Sequence, residues 1–378
     1  DLTLHALLLD ELLYLKSLGY DVRGVCSPGQ WVVSLETQGI PITPISISRR
    51  LTPLDDLRSL WQLTSHFRHV RYAIVHTHTP KAGVLGRVAA WLAGVPVVMH
   101  TNHGIVVTSQ TSPLARVIFT MLERIAAACS QVIFSVNEED IAWLLREGIG
   151  SPEGFVFLGS AGLGIDLAKY DPSRYNRRAE RRKFGIPADA VVILMVGRMV
   201  REKGYLELFA AAPEVVQACP QAMFVVAGES DVEKTDAIKP EMVSAAVKDR
   251  FIFLGWYENM PEVYATADVV VLPSHREGLG MSVVEGAAMG LPSVATDIRG
   301  PRQTIVPGQT GLLVPLGDVP ALAGALIRLA NDGTLRGRMG WAARQRAMEC
   351  FDRRLVLSKL ADNYRRLLAE AHAANRLP

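Results

Sequence analysis

Hydrophobic and polar positions along the first half of the chain fall into two kinds of block. Short apolar runs at 22–26, 73–76, 97–100 and 132–136, bounded by Gly, Pro, Asn, Asp or Ser, predict buried strands. Between them, 54–67, 83–92 and 114–128 carry apolar residues at helical spacing, and one further short run, 155–158, closes the half. Strands separated by helices of this length predict βαβ units and a mainly parallel sheet. The pattern opens on a helix at 2–18, where a doubly wound domain places a strand and loop first, so that strand and loop are expected to precede residue 1. The rhythm restarts at 191–196 and continues through 223–227, 251–254, 269–272 and 293–296. Beyond 319 the chain is chiefly helical, and its amphipathic segment 355–374 is expected to cross back and brace the first half. The predicted fold class is α/β, with two Rossmann-like domains facing across a cleft. Their expected extents are 1–165 and 191–354, with a linker over 166–190 and a returning helix over 355–378.

Size agrees with two cores, because 378 residues exceed what a single core usually fills. A formal charge of +2 is nearly neutral for this length and argues against a dedicated nucleic-acid protein. Cys26, Cys129, Cys219 and Cys350 are far apart, with no CxxC or Cys/His cluster, so neither a zinc site nor a disulfide scaffold is indicated. With no secretory signal and no uninterrupted apolar span, the expected location is the cytoplasm.

The densest candidate chemistry lies in PSHREGLGMSVVEGAAMG, residues 273–290. Asp268 to Leu272 reads as a buried strand ended by Pro273, a loop reaches Gly280, and a small-residue helix starts near Met281. Glu277 in the loop and Glu285 in the second helical turn bracket a helix N-terminus whose N–H groups suit an anion. The backbone of Gly278, Leu279, Gly280, Met281 and Ser282 is the expected donor-binding edge. Gly197-Arg198 leaves the 191–196 strand and Lys203-Gly204 precedes the next helix. Two cations at a strand-to-helix switch suit a diphosphate, and an exposed basic loop accounts for them equally well. In the first half, His76-Thr77-His78 and His100-Thr101-Asn102-His103 leave two strands at their carboxyl ends. No nearby acid in the sequence completes either as a metal site, so no metal is expected. His103 before Gly104 reads as a hydrogen-bond donor in a tight turn, and His76 as a structural residue. Lys81, in the first turn of a helix, opposes the dipole unless an anion is beside it, which makes it an acceptor-side candidate. Asn137 reads first as a helix cap and second as an acceptor-side residue. Asp166 ends the glycine-rich run 159–166, a candidate crossing or hinge. Dinucleotide, P-loop and nucleophile-elbow signatures are absent from the sequence.

Taken together, these residues resemble the retaining glycosyltransferases of family 4, which have the GT-B fold. Glu277 and Glu285 match that family's E-x7-E signature, and Gly197-Arg198 with Lys203-Gly204 match its donor-phosphate motif. His103 matches its first-domain histidine, and Gly300, Gly308 and Thr310 to Pro315 match its later glycine pattern. HTHTPKAGVLGRVAAWLAGVPVV at 76–98, Cys26-Ser27-Pro28-Gly29 and Asn137 to Asp140 look like a bacterial exopolysaccharide or capsule subgroup. The resemblance implies a hexosyltransferase-type enzyme using a nucleotide-sugar co-substrate, expected to be a UDP-sugar, with no metal or other cofactor. It implies Arg198 and Lys203 on the diphosphate, Glu277 on the donor sugar, Glu285 on the ribose, a base along the loop from Gly255, and His103 on the sugar or phosphate side. The implied acceptor is a lipid-linked glycan hydroxyl. Alternatives are a small-molecule acceptor, or a non-catalytic nucleotide-sugar-binding regulator. Peripheral contact with an anionic membrane surface is expected through the basic stretch from Arg174 to Lys183.

Overall fold

The computed structural model describes residues 1–48, 52–107, 111–159, 164–230 and 236–377. The chain divides into two compact units, Asp1–Leu163 with Arg354–Pro378, and Gly164–Arg353.

Unit 1 opens with a π-helical turn, Leu4–Leu8, running into α1 (Leu9–Ser17). Then come β1 (Gly24–Cys26), α2 (Val32–Thr37), β2 (Ile42–Pro44), α3 (Pro53–Val70), β3 (Ile74–His78), α4 (Pro80–Leu92), β4 (Val97–Asn102), α5 (Pro113–Ala128), β5 (Val132–Ser135), α6 (Glu138–Arg146) and β6 (Phe155–Phe157). The strands form a parallel pair, β1-β2, and a parallel four-stranded sheet in the order β3-β4-β5-β6. The helix starts follow local chemistry. Pro53, Pro80 and Pro113 sit at first helical positions, and the Ser112 hydroxyl accepts the Ala115 N–H. Leu63, Phe67, Val75, Ala89 and Val98 pack α3 and α4 against the sheet.

Unit 2 contains α7 (Arg177–Lys183), β7 (Val191–Val196), α8 (Tyr205–Ala218), β8 (Ala222–Ala227), β9 (Phe251–Gly255), α9 (Met260–Thr266), β10 (Val269–Leu272), α10 (Met281–Ala288), β11 (Ser293–Thr296), α11 (Arg299–Thr304), β12 (Gly311–Val314), α12 (Val319–Asn331) and α13 (Gly333–Cys350). Its six strands are parallel in the order β12-β11-β10-β7-β8-β9. Both faces of such a sheet are covered, which is why Val191 to Met195 and Val269 to Leu272 are continuous apolar runs, buried throughout. The order proceeds one way from β7 through β8 to β9 and the other way through β10 to β12. The switch point between β7 and β10 is where such sheets hold ligands, outside the strands' carboxyl ends.

The last helix, α14 (Arg353–Ala373), belongs to unit 1 from Arg354 onward and buries Val356, Leu360, Tyr364 and Leu367. β2 and β12 were not expected. Both are short, and β12 hides inside the glycine pattern that ends at Pro315. No described helix is long and apolar enough to cross a membrane.

Candidate functional site

The two loops that leave the switch point in unit 2 are laced together. His275 N–H donates to the Glu202 carbonyl at 2.8 Å, and the Ser274 hydroxyl reaches the Lys203 carbonyl at 3.4 Å. Gly204 makes this approach feasible. Its φ is +81°, and a Cβ there would lie 2.0 Å from the Pro273 carbonyl oxygen. The result brings Lys203 and Glu277 together, Nζ to Oε1 at 2.6 Å, with both side chains largely buried. Gly300 backs Glu277 closely, since a Cβ on it would stand 2.8 Å from the Glu277 Cβ. Arg198 points into solvent, its side chain 55 % exposed and 3.5 Å from Glu202. Gly197 is tied down through its carbonyl, which accepts the Tyr205 hydroxyl at 2.6 Å. Gly255 ends β9, and its carbonyl accepts the Gly228 N–H at 2.9 Å.

The α10 N-terminus opens beside Glu277. Gly280 is its cap position, no side chain caps it, and its first turn holds no acid. Its leading N–H groups therefore lack the usual internal partners. Leu279 and Ser282 are buried, so this edge presents backbone, while Met281 is half-buried. Glu285, one turn on, lies beside Tyr264 and Tyr170, and burial holds its carboxyl above the ordinary range, while the Tyr264 hydroxyl donates to the Ser282 carbonyl at 3.2 Å. Tyr170 is placed by Arg344, which donates to its carbonyl at 2.8 Å. Asp166 caps the turn before it, accepting from Ala168 and Lys169 N–H at 3.0 Å. Of the crossing run 159–166, residues 160–163 lie outside the described residues.

In unit 1 the paired strands β3 and β4 bring the two histidine motifs together, with Thr77 opposite His100 and His78 opposite Thr101. His78 Nδ1 is 3.1 Å from His103 Nε2, and the rings stack at 5.3 Å. His76 has both nitrogens engaged, Nδ1 by the Tyr364 hydroxyl and Nε2 by Thr101, each at 2.8 Å. Burial pushes His76 down to about 3 and His103 to about 4, and lowers His78 and His100 as well. The cluster is therefore neutral at pH 7. An acid does stand beside it, contrary to the sequence expectation. Glu11 of α1 places Oε1 3.6 Å from His76 Nδ1, and Glu11, His76 and His78 could share an ion on spacing alone. The hydroxyls that already hold both His76 nitrogens make this a hydrogen-bonded cluster.

Two sequence expectations meet competing partners, and Asn137 takes the cap role read first for it. Lys81 has its anion inside the fold, Asp56 Oδ1 at 2.5 Å. Asn137 is fully buried and caps α6 through Glu139 N–H at 2.8 Å. Half of the basic stretch is ion-paired within unit 2, while Arg174, Arg178 and Arg182 stay exposed. Arg181 is buried on Asp268 and the Thr266 carbonyl, Arg177 bonds Asp268, and Lys183 bonds Glu262. Residues that the motifs did not single out complete both clusters: Glu11 and Tyr364 in unit 1, and Glu207, which bonds His275 at 2.6 Å, with Tyr170 and Tyr264 in unit 2. All join their clusters across long stretches of sequence, and no local pattern marks them.

Comparison with known proteins places both units. Residues 9–157 match the model described as "Glycosyl transferase 4-like domain", and 176–346 match "Glycosyl transferases group 1". The chain is 30 % identical over 292 residues to the UDP-Gal:alpha-D-GlcNAc-diphosphoundecaprenol alpha-1,3-galactosyltransferase of Escherichia coli, covering 77 % of this chain and 74 % of that protein. It is 27 % identical to the capsular polysaccharide biosynthesis glycosyltransferase CapM of Staphylococcus aureus, over 96 % of this chain and 94 % of CapM. Among solved structures, Anabaena HepE in complex with UDP-glucose superposes with a TM-score of 0.77 at 20 % identity, covering 94 % of each chain. That likeness shows the two-domain GT-B fold.

Proposed function

Because this chain belongs to the GT-B glycosyltransferases, enzymes that move a sugar from a nucleotide-diphosphate sugar to a hydroxyl, we propose a specific reaction for it. It transfers a sugar from a UDP-sugar, with retained anomeric configuration, to a hydroxyl of a lipid-linked glycan in surface-polysaccharide synthesis. The observation that carries this reading is the Lys203–Glu277 pair at the switch between β7 and β10, beside the uncapped start of α10. The names of the galactosyltransferase and CapM support the donor and acceptor classes.

Each group then has a task. Lys203 keeps one N–H on Glu277 and has two more for a phosphate oxygen. Arg198, exposed and weakly held, closes onto the diphosphate with its fork of donors. The first N–H groups of α10, from Gly280 to Ser282, meet the same charge. Glu277, fixed by Lys203, turns its second oxygen to a sugar hydroxyl. Glu285, beside Tyr170 and Tyr264, accepts ribose hydroxyls. On unit 1, neutral His103 is assigned to a sugar hydroxyl or phosphate-side oxygen.

In the transfer step the bond from the anomeric carbon to the phosphate oxygen breaks, and the acceptor oxygen bonds that carbon on the same face. The acceptor proton passes to the leaving phosphate oxygen, giving a nucleoside diphosphate and the extended acceptor. Fixed positive charge on the leaving group and positioning supply the rate.

The test is nucleoside diphosphate release from a UDP-sugar panel, with extracted lipid-linked glycans or soluble sugars as acceptors and anomeric NMR on the product. Release that requires the lipid-linked glycan, with a retained anomer, is expected. An inverted anomer would overturn the front-face step, and turnover with soluble small acceptors alone would overturn the lipid-linked assignment.

A further inference from the structure

Three neighbouring helices of unit 1 turn apolar rows to solvent. On α5, Leu114, Val117, Met121 and Ile125 recur at helical spacing, and each is at least half exposed. On α3, Leu54, Leu57 and Trp61 form a similar row, with Trp61 70 % exposed. Between them α4, which packs against both, exposes Trp91 at 61 % and Leu92. Outer faces of helices covering a sheet are normally polar, and apolar rows exposed on three adjacent helices mark a docking site.

Charge identifies what docks. Among the described residues, these helices carry three acids. Asp56 is bonded to Lys81 and Glu123 to the buried Arg87, which leaves Asp55. Against it stand the exposed Arg58 and Arg68 of α3 and Arg124 of α5, whose guanidinium reaches only the Glu147 carbonyl, while Arg116 is paired with the Glu147 carboxylate. Arg68 continues the Leu54–Leu57–Trp61 row toward the helix end, where it lines a cavity of about 270 Å³ with Arg71, Arg376, Tyr72, Phe67 and Gly94. Arg68 spends one donor on the Leu92 carbonyl. Three helix C-termini near this cavity, those of α3, α4 and α14, carry roughly half a negative charge each, which still leaves the three guanidiniums in excess. Arg71 is also conformationally out of place. It ends α3 at φ +58°, in a left-handed cap that glycine or asparagine usually takes.

We propose that the outer face of α3, α4 and α5 docks on an anionic bilayer. The apolar rows and the two tryptophans enter the headgroup boundary, and Arg68, Arg71 and Arg376 receive lipid phosphates. Exposed tryptophan beside arginine on an amphipathic face is the chemistry of a membrane interface. A second copy of the chain fits less well, because a two-fold contact through this face sets arginines against arginines. The purpose of the contact, bringing enzyme to a lipid-linked acceptor, rests on the proposed function, but the contact itself is measured separately.

Sedimentation of the full chain with vesicles of phosphatidylcholine alone, and of phosphatidylcholine with phosphatidylglycerol, tests the surface. Wild type is expected to sediment with the anionic vesicles and much less with the neutral ones. Arg68→Gln with Arg71→Gly should lower the partition about thirtyfold, at about fivefold per arginine. Glycine suits the Arg71 backbone, so loss of fold does not explain that result. Val117→Ser with Met121→Ser, and Trp61→Ser with Trp91→Ser, should each lower it at least about tenfold. Arg178→Gln with Arg182→Gln, on exposed positions of α7, should leave it unchanged. Face variants that bind like wild type, or loss confined to the α7 variant, would overturn the proposal. So would a wild-type dimer that the face variants convert to monomer. Transfer to a detergent-solubilised lipid-linked glycan, followed in the same variants without vesicles, should stay at the wild-type rate. Loss of all transfer with vesicle binding intact would count against the proposed reaction and leave the surface standing.

Discussion

Lys203 and Arg198 come from one loop but hold their charges differently, and this separates their expected effects. Lys203 is paired at 2.6 Å and enclosed, whereas Arg198 is exposed. Arg198→Ala should leave the fold and unliganded stability unchanged and lower kcat/KM about thirtyfold, the loss of one charge-assisted phosphate contact of about 2 kcal/mol. Lys203→Ala should cost at least as much activity and also release Glu277. Arg178→Ala, on the exposed side of α7, is the comparison, and near-wild-type kinetics in all three proteins would reject both phosphate roles. The two glutamates divide in the same way. Glu285→Gln should weaken calorimetric UDP affinity, because a carboxylate accepts ribose hydroxyls more strongly than an amide does. Glu277→Gln should spare nucleotide affinity and slow single-turnover transfer, since its carboxylate faces the sugar rather than the nucleotide in the proposed site. If Glu277→Gln loses affinity alone, its sugar-orienting role is wrong.

Among elements, the pairing of β3 with β4 and the packing of α1 and α14 around it create a block of buried titratable groups with opposed pH responses. The histidines stay neutral in the native state, His76 down to about 3 and His103 to about 4 against an ordinary 6.5. Below pH 6.5 the unfolded chain binds protons that the native chain refuses, so stability falls as pH falls through that range. Glu11 acts in the other direction. Burial raises it from 4.5 to about 8, so its contribution is complete below pH 4.5 and is lost as pH rises through 8. Four histidines are lowered against one raised glutamate. The histidines therefore dominate the acid side and Glu11 the neutral side. Chemical denaturation across pH should show unit 1 most stable near the ordinary histidine value, with each net proton worth about 1.4 kcal/mol per pH unit. Glu11→Gln should keep the acid limb and remove the decline toward pH 8. An unchanged decline would show that Glu11 is ionised in the native state.

For the whole molecule, the chain leaves unit 1, builds unit 2, and returns as α14 to complete unit 1. Unit 1 is therefore completed by a segment that follows the whole of unit 2 in the chain. Removing residues 354–378 strips Val356, Leu360, Tyr364 and Leu367 from its interior, and also the hydroxyl that holds His76. Buried Val and Leu side chains are worth about 2 kcal/mol each, so the three together remove about 6 kcal/mol, a large share of a typical domain's margin. Limited proteolysis of the truncated chain should degrade unit 1 and release a resistant fragment close to 164–353. Equal resistance of both units would show that α14 is dispensable.

The α/β class, the parallel sheets and the switch-point loops were legible in the sequence, because buried parallel strands must be continuously apolar and glycine must stand where loops close on each other. The E-x7-E pair and the Gly197-Arg198, Lys203-Gly204 motif stood out as matches to a family signature at fixed local spacing. Sequence could not show that Lys203 and Glu277 touch, because their meeting depends on β7 and β10 being neighbours although they lie far apart in the chain. Nor could it show that Lys81 is answered by Asp56, that Arg181 is buried on Asp268, or that Glu11 and Tyr364 close around His76. A charged side chain looks the same in sequence whether it faces water or a partner. Tertiary packing assigns the partner, and with it the charge that remains for ligands and surfaces.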